Sequence, residues 1–200
     1  MLDRILDWLS PHAAAPATTT PSAHEVRGLP VAVLNSRPDI RTADVLARLD
    51  RSLGLLERHV PWHFRRLRRD FSRLLVVRYP CRGAYDPNDG TCIVELTFCV
   101  NPRHEDAEVA ATILHEAMHA RLHAAGLPLD FADRARQERF CRRAELEFGR
   151  LVPGGEVVLE RAQATLAFAD EEVAPMIDWR VAEQRIAAAD AAALGRRDRA

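Results

Sequence analysis

Lysine is missing from this sequence of 200 residues, and all 28 of its basic residues are arginine. This absence excludes chemistry that needs a lysine amine, such as Schiff-base catalysis. The arginines are balanced by 29 acidic residues, so that the formal net charge is −1. Because a near-neutral chain has no overall field that selects nucleic acid, we expect no nucleic-acid partner.

A long uninterrupted apolar run is also missing. The N-terminal residues 1–9 carry charges throughout, unlike the apolar core of a signal peptide, and no segment is long enough to cross a membrane. We therefore expect a cytoplasmic protein without a transmembrane segment, with export by another route left open. Leu2, Ile5, Leu6 and Leu9 share one helical stripe, which predicts a short helix that docks on the domain, touches a membrane or binds a partner, with docking as the expected role.

Among the four cysteines, no Cys-x-x-Cys pair is present. The sequence therefore offers no structural zinc site of that kind. Cys81 and Cys92 flank a turn and would pair in an oxidising compartment. In a chain without a recognisable signal peptide, we expect both to be free thiols.

One stretch, Ile113–Ala120, contains the pattern His-Glu-x-x-His within a helical run of apolar residues. Residues four apart share a helix face, so His115 and His119 can direct their imidazoles at one metal ion. Glu116 lies about 100° around the helix and can reach a water held by that metal without coordinating it. Zinc accepts such ligands, and a neighbouring carboxylate can take a proton from the bound water. The pattern predicts one Zn²⁺ ion per chain, with Glu116 as general base.

The third metal ligand is expected to be a carboxylate, since no histidine follows His123. His123 itself lies about 12 Å along the helix from His115, too far for one ion. A second helical pattern over residues 130–149 places Glu138 and Glu145 on its inward stripe, where a carboxylate is costly unless paired or metal-bound. We predict Glu138 as the ligand, with Glu145 as the alternative or as an acceptor for a ligand histidine. Pairing of both with arginines of their own helix is the competing interpretation.

At this point the sequence resembles a known family of enzymes. The motif His115-Glu116-x-x-His119, followed by Glu138 on the next helix, is similar to that of the gluzincins, the thermolysin-like branch of the zinc metallopeptidases. More loosely, residues 138–153 resemble the ImmA/IrrE-type peptidases, in which a glutamate-bearing helix ends in a Leu-x-x-Pro-like stop.

The resemblance covers roughly residues 74–153 and implies a zinc-dependent metallopeptidase that cleaves peptide or protein substrates. It implies the same metal ligands and the same general base as the residues themselves suggest. The chain departs from the thermolysin-like pattern beside the third ligand, because Gln137 precedes Glu138 and Arg142 follows it by four residues.

The predicted elements favour an α+β fold, with a small mixed or antiparallel sheet covered by helices on one side. A strand at 29–34 and a long helix at 42–59 precede a hairpin, the metal helix and the ligand helix, an order that matches a minimal zincin core by resemblance. We expect a short helix and flexible linker over residues 1–28. The metallopeptidase domain would then span 29–155, and a C-terminal helical extension would span 156–200.

Residues 91–100 alternate in polarity, which predicts a strand. The resemblance to the zinc peptidases, in which the strand beside the cleft is an edge, implies that this strand lies at the edge of the sheet. An extended peptide can pair with such an edge through its backbone. Glu95 and Thr97 on this strand are therefore candidate substrate contacts.

A further donor is needed to stabilise the oxyanion that forms when a peptide bond is attacked. Tyr85 and His123 are candidates, and Tyr79 or an arginine remain alternatives. Ordinary packing is the competing interpretation for both tyrosines.

Two other hypotheses compete with the peptidase. The departures at Gln137 and Arg142 would suit a catalytically degenerate zincin fold, which acts as a metal-binding regulator or a protein-interaction module. The other is a helical interaction protein with no metal. Metal analysis separates the metal-free interaction protein from the peptidase and the degenerate zincin fold. Peptide digestion separates the peptidase from the degenerate zincin fold.

Overall fold

The structure is a computed structural model that describes residues 22–127, 133–174 and 178–197. Within these ranges the chain is a mixed α+β protein, as its sequence predicts. The helix expected over residues 1–9 lies outside the described residues, as does the linker up to residue 21.

A five-stranded mixed sheet has the strand order β1-β2-β3-β5-β4. The outer pairs β1–β2 and β5–β4 are antiparallel, and the inner pairs β2–β3 and β3–β5 are parallel. β1 precedes the domain start expected at residue 29, and all five of its residues pair with β2. The strands are β1 Ser22–Val26, β2 Leu29–Val33, β3 Arg73–Val77, β4 Gly83–Asp86 and β5 Thr91–Glu95.

Eight helices belong to the described part of the chain. They are α1 Thr42–His59, α2 Pro61–Asp70, α3 Leu96–Val100, α4 Asp106–Ala124, α5 Arg134–Leu151, α6 Glu156–Leu166, α7 Asp170–Val173 and α8 Trp179–Arg197. Helix α1 has the bounds predicted from its apolar period, and the next helix starts at Pro61, which cannot continue α1.

Helix α4, which carries the His-Glu-x-x-His motif, lies at the centre of the fold. It packs against α1, α2 and α5 and against the strands β4 and β5. In the turn before the helix, the Asn101 side chain accepts from the backbone N–H of Arg103 at 3.0 Å. The helix begins after Glu105, whose backbone N–H donates to the carboxylate of Glu108 at 3.1 Å.

The edge strand predicted at residues 91–100 is wrong in two respects. β5 ends at Glu95, because that carboxylate accepts from the backbone N–H of Phe98 at 2.6 Å and caps the short helix α3. β5 is also an interior strand, hydrogen-bonded to β3 on one side and β4 on the other. The edge beside helix α4 is instead β4, Gly83–Asp86.

Helix α8 lies against the face of the sheet that α1, α2 and α4 leave uncovered. Trp179 packs edge-on against Tyr79, with ring centroids 5.9 Å apart, next to an apolar cluster on β3 and β5. Asp190 accepts from Arg37 at 2.9 Å and from Arg78 at 3.1 Å, which connects α8 to the sheet. Of the helices in the described residues, none has the length and apolar character needed to span a membrane.

The junction between α5 and α6 depends on the absence of a side chain at Gly155. A Cβ there would meet the backbone oxygen of Gly149 and would lie 2.7 Å from Cγ1 of Val152. We expect Gly155→Ala to lower the free energy of unfolding by about 3 kcal/mol, measured by urea denaturation. Gly154→Ala is the control, since its φ of +74° is strained for alanine but its Cβ meets nothing within 4 Å. That control should cost only about 1 kcal/mol, and equal losses would contradict the packing argument.

Candidate metal centre

The two motif histidines lie side by side on α4 and face α5. Their ring centroids are 5.0 Å apart. Nε2 of His115 is 3.2 Å from Oε2 of Glu138, and Nε2 of His119 is 3.6 Å from Oε1 of the same carboxylate. The structure therefore brings together the three residues that the sequence suggested as metal ligands.

Glu145 contacts His115 from the opposite side of the ring. Its Oε1 lies 2.9 Å from Nδ1 of His115, while Glu138 faces Nε2. The Glu145 carboxylate also accepts from Arg142 at 2.9 Å, and Arg161 of α6 lies 3.7 Å away. With an exposed fraction of 1%, this buried carboxylate holds the ring of His115 in one orientation.

These contacts shift the protonation equilibria of the buried groups. Burial by itself lowers the pKa of His115, but hydrogen bonds to Glu138 and Glu145 outweigh it and raise the pKa to about 10. Although burial raises the pKa of both glutamates, the hydrogen bonds to histidine hold the pKa of Glu138 far below its usual range and that of Glu145 at about 2. Without a metal, the centre is thus a buried imidazolium held between two carboxylates.

Glu116 is buried beside the two histidines and differs from the other carboxylates of the centre. It forms no hydrogen bond or ion pair with any residue in the described ranges, and burial raises its pKa. The edge strand passes next to it: a Cβ on Gly83 would lie 3.0 Å from Oε1 of Glu116 and 2.7 Å from Cγ2 of Thr112. Glycine at this position lets β4 approach the carboxylate closely.

Cys141 also lies at the centre, and the sequence-based reasoning did not consider it as a ligand. One ligand atom each from His115, His119 and Cys141 lie within 4.8 Å of one another. Cys141 is one turn after Glu138 on α5, so its position on the inward stripe was the available signal. Burial raises the pKa of its thiol well above the usual value, which favours the protonated form in the absence of a metal.

Arg161 is the other residue that the sequence did not reveal. It comes from α6, in the segment expected to be a separate C-terminal extension. Its guanidinium lies between Glu145 and Glu108, 3.7 Å and 3.9 Å from their carboxylate oxygens. Only the packing of α6 against α5 brings it to the centre, and no local pattern indicates that contact.

Tyr85 and His123, the two candidate oxyanion donors, contact each other. The Tyr85 hydroxyl is 3.4 Å from Nδ1 of His123, and the ring of Phe71 stacks on Tyr85 at 6.2 Å. His123 lies one turn beyond His119 on α4, and Tyr85 is the third residue of β4.

Glu95 and Thr97, the candidate substrate contacts, do not lie on a sheet edge. The Glu95 carboxylate accepts from Arg78 and from the hydroxyl of Thr97, the latter at 2.7 Å. Both side chains are occupied in a buried ion-pair network. The prediction failed because an alternating pattern shows which residues share a face but does not show which strand lies outermost.

No protein-family model matches the chain, and neither a curated protein nor a solved structure matches it. Any function assigned to the centre therefore has to come from its side-chain chemistry.

The four cysteines of the chain are free thiols, so a disulfide between Cys81 and Cys92 does not constrain the neighbouring loop.

The charged network predicts a pH dependence for the metal-free protein. Because the pKa of His115 is raised from 6.5 to about 10, its protonation stabilises the fold fully below pH 6.5, and this contribution is lost as pH rises towards 10. The lowered pKa of Glu145 contributes stability above pH 4.5, which is lost as pH falls towards 2. The contribution of this pair should therefore be largest between pH 4.5 and 6.5.

The measurement is the free energy of unfolding of chelator-treated protein, by urea denaturation at a series of pH values. His115→Gln is the matched control, because glutamine can hydrogen-bond to the carboxylates but cannot titrate. The difference between wild type and this variant should shrink from pH 6.5 to pH 10. A difference that stays constant would contradict the assigned protonation state.

Proposed function

We propose that the chain is a zinc-dependent metallopeptidase of the zincin type, with His115, His119 and Glu138 as metal ligands and Glu116 as general base. The observation that carries this proposal is the convergence of both Nε2 atoms on one carboxylate, next to a buried glutamate that has no partner among the described residues. A fold that needed these groups only for packing would gain nothing from an unpaired buried carboxylate.

The distances from Glu138 to the two histidines are compatible with a shared metal ion. Ligand atoms that hold a zinc ion at about 2.1 Å in tetrahedral geometry are about 3.4 Å apart. Oε2 of Glu138 lies 3.2 Å from Nε2 of His115, and the other oxygen, Oε1, lies 3.6 Å from Nε2 of His119. Two imidazoles and a carboxylate are also a common donor set for catalytic zinc, which leaves the fourth position open.

Three side chains are candidates for the third metal ligand, namely Glu138, Glu145 and Cys141, and Glu138 is the best supported of them. Glu145 is engaged with Nδ1 of His115 and with Arg142, so it supports a ligand histidine instead of sharing its metal. Cys141 is the remaining alternative, because its thiol lies close to both histidines. Glu138 is preferred over Cys141 because its two oxygens lie 3.2 Å and 3.6 Å from the Nε2 atoms of the histidines, whereas the Cys141 thiol is placed only within 4.8 Å of their ligand atoms.

The protein side chains would divide the work of hydrolysis. A zinc ion at this centre would supply a Lewis acid and lower the pKa of its bound water to about 7. The raised pKa of Glu116 suits a base that accepts a proton from the attacking water and returns it to the leaving nitrogen. Glu145 keeps the Nδ1 side of His115 occupied, so that Nε2 faces the centre.

The substrate proposed is an extended peptide that pairs with the free edge of β4. Among the residues that the structure describes, β5 is the one strand hydrogen-bonded to β4, whose first residue, Gly83, adjoins Glu116. Backbone pairing along such an edge would bring a peptide bond towards the centre without a requirement for particular side chains. Tyr85, on the same strand, and His123 remain candidate oxyanion donors.

Zinc binding distinguishes the alternative ligands. We expect one zinc per chain, and we expect His119→Ala and Glu138→Ala to weaken its affinity by about 100-fold or more, because each removes a ligand. Cys141→Ser should change the affinity by less than about tenfold. The measurement is competition titration with a chromogenic chelator. If Cys141→Ser lowers the zinc affinity more than Glu138→Ala does, the third ligand is the thiolate of Cys141 and not the carboxylate of Glu138.

Glu116→Gln tests the catalytic step. Amide and carboxylate have the same shape, so the variant should bind zinc like the wild type while peptide cleavage falls about a thousandfold. Cleavage is measured by mass spectrometry on a peptide library. Glu147→Gln, an exposed position on α5, is the control and should keep full activity. Undiminished cleavage by Glu116→Gln would show that Glu116 is not the general base.

One observation favours the alternative of a catalytically degenerate fold that serves as a regulator or interaction module. The contacts among His115, Glu138 and Glu145 satisfy these groups without a metal. A chain that retains zinc but cleaves no peptide, with or without Glu116, would support that alternative. A chain that binds no zinc would leave only an interaction role.

A further inference from the structure

A cavity of about 350 Å³ opens where α8 meets the C-terminal ends of β3 and β5. Its walls are the segment 78–82 after β3, the first residues of α3 and one side of α8. Phe98 and Ile186 contribute apolar surface, and the guanidinium of Arg82 lies over the ring of Phe98 at 4.9 Å. The cavity therefore combines an apolar wall with charged groups at its mouth, as ligand sites commonly do.

The charge of this cavity is predominantly positive, since three arginines and one glutamate line it. The glutamate, Glu95, is buried and engaged with Arg78 and with Thr97. Arg78 is held on its other side by Asp190, at 3.1 Å from Nε. Within the described part of the chain, its Nη2 atom makes no hydrogen bond, so a donor of a fixed guanidinium is left for a ligand.

The other two arginines are less constrained. Arg82 is 44% exposed and lies 3.4 Å from Glu108, a long contact for an ion pair. Arg185, on α8, is exposed and forms no ion pair with any residue in the described ranges. Two accessible guanidinium groups thus face the same space, and guanidinium binds a carboxylate through two parallel hydrogen bonds.

This cavity and the metal centre share one segment of backbone. Cys81 lines the cavity, and its thiol donates to the carbonyl oxygen of Gly83 at 3.1 Å. Gly83 is the residue of β4 that adjoins Glu116. A peptide paired with β4 would therefore reach the cavity within a few residues of the bond next to Glu116, because each extended residue spans about 3.3 Å.

We propose that this cavity is a specificity pocket for a carboxylate of the peptide substrate, bound by Arg82, Arg185 and the free donor of Arg78. The inference rests on the proposed peptidase function. The carboxylate belongs either to an aspartate or glutamate side chain or to the C-terminus of the peptide. The apolar wall takes the aliphatic part of that residue, and the guanidinium groups take the charge.

The test compares matched peptides in two arms. In the first arm, peptides with a C-terminal amide carry aspartate or asparagine at successive positions on either side of one cleavable bond. In the second arm, neutral peptides end in a free carboxylate or an amide. We expect kcat/KM to be about tenfold higher for the charged member of the pair in at least one arm, since charge-assisted hydrogen bonds are the strong ones.

Arg185→Ala is the variant of choice because its side chain is exposed and free of ion pairs within the described residues. It should reduce the tenfold preference for the charged member of each pair to about twofold. Arg180→Ala, another exposed arginine of α8 that does not line the cavity, is the control and should keep the preference. No preference in either arm, or an equal loss in both variants, would overturn the pocket.

Binding separates this inference from the proposed function. Fluorescence anisotropy of the labelled peptides is measured with wild-type protein and with both arginine variants, on ice and without added zinc. Tighter binding of the charged peptide that Arg185→Ala abolishes would support the pocket even in a protein that cleaves nothing. Equal binding of charged and neutral peptides would overturn the pocket even if the protein proves to be a peptidase.

Discussion

The pairing of His115 on α4 with Glu138 and Glu145 on α5 is the interaction on which the centre depends. Removing charges from water costs several kcal/mol per ion, and only close, well-oriented partners offset that cost. Here the partners lie on two helices that pack along their length, with the buried side chains of α5 turned towards α4. The geometry of the centre therefore depends on how α4 and α5 pack, and the contacts of the centre in turn help to hold these two helices together.

Those parts of the structure that follow from local periodicity could be predicted from the sequence. The apolar period of α1 indicated its full extent, and the spacing of His115 and His119 placed both rings on one face of α4. The cost of a buried carboxylate singled out Glu138 and Glu145 on the next helix. Each of these inferences used only the types of residues and their spacing within a single helix.

Features that depend on how distant segments pair were missed. The alternating pattern of residues 91–100 could not show that β3 pairs with β5 and leaves β4 at the edge. Arg161 reaches Glu145 only through the packing of α6 on α5. Cys141 was missed as a possible ligand, since a thiol on an apolar stripe has no separate signature until the histidines of the neighbouring helix face it.

The missing side chain at Gly83 has a consequence for how the molecule tolerates change. With Glu116 and Thr112 so near, even a methyl group at residue 83 would push the edge strand away from the central helix. A single carbon atom there would widen the gap between β4 and α4, while the histidines and their carboxylates keep their contacts. Residue 83 is thus a point at which natural variation can change the surroundings of Glu116 although every polar group of the centre is intact.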